Sequence, residues 1–331
     1  MFRVTLCREE NIPMSLLNTL RFYYRLGGIP LIFKRVFDTA TKNDDTLYQF
    51  FSKVGEERYP TIVKEMYKSS TGKEINLNHP VSFNDKISWQ KIYDKDPMRT
   101  RLTDKVLVRE WIKEKIGEEY LVPILGIWDS FDDIDFDSLP NRFVLKANHG
   151  STWNTVVRDK KNLNIKEAKQ KFDFWMKRNY AYINLEMQYE RIEPKIMAET
   201  YIEQMDGGLF DYKFHCFGGY PKLIEVIGDR IPATHQFKSV VVKPDWTRNE
   251  GLSLVTGEQY DSLPVKPENW EKMLSIAKVL SEGFPYVRVD LYNINGKILF
   301  GEMTFTPCNG MDPTDEYFTY AELIDLTRCI R

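Results

Sequence analysis

Residues Tyr286 to Thr304 read Tyr-Val-Arg-Val-Asp-Leu-Tyr-Asn-Ile-Asn-Gly-Lys-Ile-Leu-Phe-Gly-Glu-Met-Thr, and no other stretch restricts the fold as tightly. Two apolar alternating runs flank Asn295-Gly296, the signature of a β-hairpin. The side-chain period of a strand sets Val287, Val289 and Leu291 on one face, and Arg288 and Asp290 on the other. The face taken by the return strand depends on the turn. A two-residue Asn295-Gly296 turn pairs Ile294 with Lys297 and sets Asp290 and Glu302 on opposite faces. A three-residue loop, Ile294-Asn295-Gly296, places Gly296 at a left-handed third position, pairs Arg288 with Glu302 and leaves Asp290 diagonal to that glutamate. The three-residue loop is the expectation. It collects Arg288, Asp290, Glu302 and Thr304 on one face, with the two carboxylates within about 7 Å of each other.

Two carboxylates that close repel unless a cation lies between them, and hard oxygen ligands on a partly open site suit Mg²⁺ carrying the phosphates of a nucleotide. The competing reading is a surface hairpin in which Arg288 simply pairs with Glu302. A second segment favours the phosphate reading. Phe143-Val-Leu-Lys146-Ala reads as a strand with one lysine, followed by Asn148-His-Gly-Ser-Thr-Trp-Asn154 and another strand from Thr155. A loop holding Gly150 and Ser151 between two strands can fold its N–H groups over phosphates, with Lys146 supplying charge. It is not a Walker A loop, because no Gly-Lys-Ser/Thr follows and no helix begins there. An ordinary hairpin turn is the alternative. Further on, Ile196 to Ile202 reads as a strand bearing Glu199, and Asp211 to Phe217 as a strand with Asp211, Lys213 and His215 on one face. Acids at such positions can accept hydrogen bonds from an adenine amine or ribose hydroxyls, and Lys213 can meet phosphate.

The rest of the chain supplies the frame. Its 331 residues, 42% hydrophobic and 14% aromatic, are ample for a large core and exclude disorder. Acids outnumber bases 48 to 46, so no cationic surface is available for a nucleic acid. Cys7, Cys216, Cys308 and Cys329 lie far apart without zinc-ligand spacing, which argues against a disulfide framework and fits a reducing cytoplasm. From Asn11 to Phe37 there are four bases (Arg21, Arg25, Lys34, Arg35) and no acid, and Ile12, Leu16, Leu20, Tyr23 and Leu26 recur at helical spacing until Gly27-Gly28. Such a segment is expected to pack as a helical pair on its own domain, with contact to an anionic membrane surface through residues 11–37 as the alternative. Its uncharged stretches are too short to span a bilayer, which takes about 20 residues. Asp44 to Ile116 is mainly helical, with Ser82 and Asp85 spaced as a capping box and Asp104 placed to cap the helix that follows. After Asn141 short strands dominate, interrupted by helices near 166–180 and 267–281. The layout is α+β.

In this order the pieces resemble an ATP-grasp enzyme, and more closely the TupA-like branch of teichuronopeptide biosynthesis. The likeness runs through Phe83-Asn-Asp-Lys, Trp89, Tyr93-Asp94, Asp104-Lys105 with Val108-Arg109, Phe143-Val-Leu-Lys146-x-Asn148-His-Gly-Ser151, Asp211-Tyr-Lys213-Phe, Arg288-Val-Asp290-Leu-Tyr, and Gly301-Glu302-x-Thr304-Phe-Thr-Pro307. It implies two α+β lobes clamping a nucleotide after a helical N-terminal region. The implied boundaries are a basic segment over 1–45, a helical domain over 46–142, a small lobe with the phosphate loop over 143–203, and a large lobe with the metal site over 204–331. Position by position, Lys105 and Lys146 resemble the lysines that touch phosphate, and Glu199 with the backbone of Thr200, Tyr201 and Ile202 resembles the adenine-binding linker. Asp211 stands at the ribose acid, Asp290 and Glu302 at the magnesium ligands, and Arg288 at the arginine that steadies the moving phosphoryl group.

The chain departs from the family at Thr304, where many members carry asparagine as a further metal ligand, and in the loop, which has fewer glycines. His149 and His215 are expected to be structural, and Cys308 is not expected to act as a nucleophile. The resemblance implies an ATP- and Mg²⁺-dependent ligase that joins an amine to a carboxylate through an acyl phosphate, with a uronic acid of a cell-surface polysaccharide as the expected acceptor. Three rivals stand beside it: a glycosyltransferase, for which only Asp133 and Asp135 approach an Asp-x-Asp metal site, a phosphotransferase using the same nucleotide site, and a non-catalytic sugar-binding protein.

Overall fold

The computed structural model describes residues 16–40, 45–206, 208–231, 234, 236–250, 258–311 and 318–330. The chain divides into two compact units, the first made of Met1–Lys95, Ala181–Met187 and Thr306–Arg331 and the second of Asp96–Tyr180 and Gln188–Phe305.

The first unit is helical: α1 (Leu16–Ala40), α2 (Thr46–Phe51), α3 (Tyr59–Thr71) and α4 (Phe83–Tyr93) come from its N-terminal part, α8 (Ala181–Asn184) and α10 (Phe318–Ala321) from the later segments. Gly28 breaks α1 with φ 69° and ψ −161°, and Pro30 removes a backbone donor just beyond, so the apolar segment is two helices joined at a kink. Phe22, Tyr23, Leu26 and Leu31 are buried, and α1 packs on α2 and α3, as the helical-pair expectation had it. Ile12 lies outside the described residues. The capping box at α4 forms as its spacing predicts: Asp85 N–H donates to Ser82 Oγ, and Ser82 N–H donates back to Asp85 Oδ2. Buried Lys91 of α4 donates to the Asn309 carbonyl and Oδ1 at 3.3 and 3.0 Å, and Ser88 donates to the Gly310 carbonyl, which ties the Pro307–Gly310 turn to this helix. Cys216 and Cys329 are free thiols.

The second unit holds two sheets, antiparallel except for the parallel β7–β8 edge pair of the second, with helices packed against them. In the first, β1 (Ile124–Trp128), β4 (Ile196–Thr200), β2 (Phe143–Ala147) and β3 (Asn154–Val157) lie in that order, so this sheet also takes a strand from ahead of residue 143. Phe143, Leu145, Ala147, Ile196 and Ala198 form a core with Ala168 and Phe172 of α7 (Ile165–Met176), which leaves Lys146 and Glu199 on the opposite face. The second sheet runs β10 (Lys297–Thr304), β9 (Tyr286–Ile294), β5 (Asp211–Phe217), β6 (Tyr220–Ile231), β7 (Gln236–Val242), β8 (Glu258–Gln259). Tyr212, Phe214, Ile224, Val226, Val287, Val289 and Leu291 pack with Trp270, Met273 and Ile276 of α9 (Trp270–Ser281). That apolar face commits every alternate residue, Asp211, Lys213, Glu225, Arg288 and Asp290 among them, to the other side. Two short helices, α5 (Pro97–Thr103) and α6 (Leu107–Lys115), complete the unit. Among the described residues no helix is long and apolar enough to cross a membrane.

Candidate functional site

The β9–β10 hairpin corrects the expected loop length and the expected pairing of Arg288 with Glu302, and keeps the shared face. Ile294 pairs with Lys297, so the turn has two residues, with Asn295 and Gly296 both left-handed at φ 51° and 84°, and the three-residue loop is wrong. By itself that register would turn Glu302 away from Asp290. A β-bulge between Phe300 and Glu302 restores it, leaving Gly301 as the extra residue, so Glu302 stands directly opposite Asp290 and Thr304 opposite Arg288. The cause lies in packing. Ile298 and Phe300 before the bulge and Met303 after it all enter the α9 core, which requires the strand to change parity between them. A side chain on Gly301 would bring its Cβ to 3.0 Å from the Asp290 carbonyl oxygen, so the bulge favours glycine.

Arg288 holds this cluster together. Its Nε and Nη2 donate to the two oxygens of Asp290, both at 2.7 Å, and Nη2 also donates to Glu302 Oε1 at 3.1 Å and Thr304 Oγ1 at 3.0 Å. Lys213 adds bonds to Asp290 Oδ2 and Asp211 Oδ2, each 2.8 Å long. Burial would push the Asp290 carboxyl up, but the cations of Arg288 and Lys213 outweigh it and hold it at about 2. Burial likewise opposes charge on Lys213, and Asp211 and Asp290 overcome it to raise its proton affinity. Asp211 Oδ1 is buried with no hydrogen-bond partner among the described residues.

The first sheet carries a second cluster. Lys146 Nζ lies 2.5 Å from Glu199 Oε2, and Arg109 of α6 lies 3.5 Å from Oε1. Both oxygens of Glu199 therefore already face cations. Tyr201 and Ile202 follow at the end of β4, with the Arg142 guanidinium 4.1 Å from the Tyr201 ring centroid. The Gly150-Ser151 loop joins β2 to β3, and Thr152 takes its left-handed position at φ 61°. Trp153 of that loop stacks on Trp175 of α7, centroids 6.0 Å apart, and meets Tyr180 edge-on.

Asp104 and Lys105 tie this loop to α6. Asp104 Oδ1 accepts from Val106 N–H and Leu107 N–H, capping the helix as its position predicts, and also from Asn148 Nδ2 at 3.0 Å. Lys105 Nζ donates to the Gly150 carbonyl at 2.5 Å. Burial lowers the proton affinity of Lys105; Glu302 and Glu199 act against that loss, so a carboxylate from each sheet bears on one ammonium.

The two histidines are structural in this arrangement. His149 Nε2 donates to the Trp175 carbonyl at 3.1 Å, and burial lowers its proton affinity. His215 Nδ1 lies 2.8 Å from the Tyr286 hydroxyl, and burial, aided by Arg288, pushes its pKa down to about 3, so it is neutral at neutral pH. Arg109 and Glu225 are site residues that the sequence reading did not assign. A lone acid in the apolar run Leu223-Ile-Glu-Val-Ile227 was the available signal for Glu225, and the Val108-Arg109 pair of the family likeness was the signal for Arg109, to which no role was given.

The donor set fits a magnesium ion. Glu302 is half-exposed, with a side-chain accessibility of 46%, and its Oε2 has no hydrogen-bond partner among the described residues. Asp290 faces it, and Thr304 Oγ1 donates to Glu302 Oε1 at 3.1 Å. Mg²⁺ keeps several waters and phosphate oxygens, so one or two carboxylates suffice. Among the described residues no three His, Cys, Asp or Glu side chains converge as a metal cage.

Residues 85–323 match the family described as TupA-like ATPgrasp. No curated protein sequence matches the chain. Among solved structures it is similar to D-alanine-D-alanine ligase from Helicobacter pylori, with 13% identity, a TM-score of 0.43, and 76% of this chain and 70% of that one covered. The Bacillus anthracis D-alanine–D-alanine ligase shows 16% identity over 75% of this chain and 70% of that one, TM-score 0.38. D-cycloserine synthetase DcsG shows 15% over 68% and 70%, also at 0.38.

Proposed function

The chain belongs to the TupA-like ATP-grasp family, and from that premise we propose that it uses ATP and Mg²⁺ to join an amine to a carboxylate through an acyl phosphate. The observation that carries this reading is the pairing of Asp290 with Glu302 across β9 and β10, with Arg288 bound to both. Glu302, Asp290 and Thr304 would hold the ion, which supplies charge neutralisation on the transferring phosphoryl group. Arg288 supplies N–H donors toward that group without a change of charge state. Lys105 and Lys146, with the Gly150-Ser151 loop, hold phosphate oxygens. Asp211 Oδ1, buried and unpartnered among the described residues, accepts from a ribose hydroxyl, and the backbone from Glu199 to Ile202 meets the adenine edge, with Lys213 completing the cationic rim.

The substrate side is the finer part of the proposal: an amino acid or amine and a uronic carboxylate of a cell-surface polysaccharide, joined in the cytoplasm near the membrane. Support for membrane contact comes from α1, which exposes Ile29, Phe33 and Val36 at i, i+4 and i+7 beyond the Gly28 kink. Vesicle co-sedimentation with and without anionic lipid tests it. The ligase reading is tested by incubating the protein with ATP, an amino acid and a glucuronate-containing acceptor. Ligation releases free phosphate only when both acceptors are present. Phosphate left on the product would establish a kinase instead, and no ATP consumption under any combination would remove both.

A further inference from the structure

Four side chains stand in one row across the second sheet: Glu225 of β6 opposite Lys213 of β5, Lys213 opposite Asp290 of β9, and Asp290 opposite Glu302 of β10. Directly opposed residues in an antiparallel ladder point to the same face, so all four share the site face. Their bonding is uneven. Lys213 gives hydrogen bonds to Asp290 and Asp211, and the third of its N–H donors has no partner among the described residues. Glu225 is 5% exposed, and its Oε1 makes no hydrogen bond to any described residue. A buried carboxyl group left without a partner costs stability, so its retention calls for a state in which it is satisfied.

Asp290 has the opposite problem. Both of its oxygens are taken, Oδ1 by Arg288 and Oδ2 by Arg288 and Lys213 together. Oδ2 already accepts from both cations, so a metal ion that takes that oxygen displaces one of them. Arg288 is anchored on Glu302 and Thr304 as well. Lys213 is the movable partner, because its ammonium sits on a flexible stem and a second carboxyl group waits on the neighbouring strand. Moving from Asp290 toward Glu225 also carries it away from the incoming dication, since β6 and β9 flank β5 and lie about 10 Å apart.

We propose that Glu225 is a positioning residue of the metal site: when Asp290 gives its carboxylate to Mg²⁺ carrying nucleotide phosphates, the Lys213 ammonium exchanges Asp290 for Glu225. The inference rests on the ligase reading above and assigns a role within its nucleotide site. Burial raises the Glu225 carboxyl to about 7, against the pull of Lys213 and Arg288, so near neutral pH it can lose its proton as the ammonium arrives.

The test is calorimetric titration of the full-length protein with a non-hydrolysable ATP analogue, once with Mg²⁺ and once in EDTA, together with thermal melting. Glu225→Met keeps a long unbranched side chain and removes the acceptor. Its expected signature is a loss of about tenfold in affinity for the magnesium-loaded analogue, the change that ~1.4 kcal/mol makes, with affinity in EDTA unchanged and a melting temperature equal to or above that of the wild type. Glu225→Gln retains an uncharged acceptor oxygen and should lose less; it carries the test if the methionine variant does not fold. Unchanged magnesium-dependent affinity in the folded variant overturns the proposal, as does an equal loss with and without the ion. A wild-type protein that binds no analogue with Mg²⁺ sinks the ligase reading itself, and this role with it.

Discussion

Asp290 and Glu302 face each other across β9 and β10 although the turn joining the strands has the length that should set them on opposite sides. The bulge at Gly301 supplies the missing half-period, and the apolar residues on both sides of it demand the change. Glu302 is the more exposed of the two acids and has an oxygen free of hydrogen bonds among the described residues. Glu302→Ala should therefore lower ATP-dependent turnover by about 10²–10³-fold, the range for losing one electrostatic stabiliser of a transition state, with circular dichroism unchanged. A variant that consumes ATP at the wild-type rate would end the mechanism.

The two glycines of the hairpin should respond differently. A Cβ on Gly296 meets open space, so Gly296→Ala carries only the left-handed backbone penalty of about 1–2 kcal/mol. Gly301→Val presses on the Asp290 carbonyl oxygen and should cost about 1–3 kcal/mol, as overpacking does. Urea denaturation measures both costs, and turnover should fall with Gly301→Val but not with Gly296→Ala.

Glu225 gives a pH signature with a definite sign. Its folded pKa of about 7 lies above the ordinary 4.5, so between these values the folded state binds the extra proton. Its penalty is absent below about pH 4.5 and fully present above about pH 7, on the order of 3 kcal/mol. Charged groups acting on it are Lys213 and Asp211 of β5 and Arg288 and Asp290 of β9, while β7 presents Val241. The stability of Glu225→Gln minus that of the wild type should grow as pH rises from 4.5 to 7, read by denaturation at each pH. A flat difference would show that this carboxyl group ionises in the folded state as it does in water.

Asp104 joins a helix cap to the phosphate loop through a single oxygen that accepts from Val106, Leu107 and Asn148. Asp104→Ala should cost about 1–2 kcal/mol, the upper part of the range for a lost cap, and should raise KM for ATP because Asn148 loses one of its anchors beside the loop, keeping those to Glu193 and Lys195. Asp104→Asn keeps an acceptor oxygen and should recover most of the stability, which melting and steady-state kinetics together would show.

Much of this molecule could be read from local pattern. Strand alternation was enough to place Arg288 with Asp290 and Lys213 with Asp211, because the side-chain period of a strand is a property of the backbone alone. The caps at Ser82 and Asp104 follow from spacing for the same reason. The bulge that turns Glu302 was not legible, since it depends on Ile298, Phe300 and Met303 all reaching a core built by α9 and the neighbouring strands. Nor was the ion pair of Arg109 with Glu199, whose partners stand ninety positions apart. Glu225 shows the limit most plainly: its sequence marks an acid in an apolar strand, but that its carboxyl stands opposite Lys213, with Oε1 unpartnered among the described residues, follows from pairing between strands, which only the packed sheet creates.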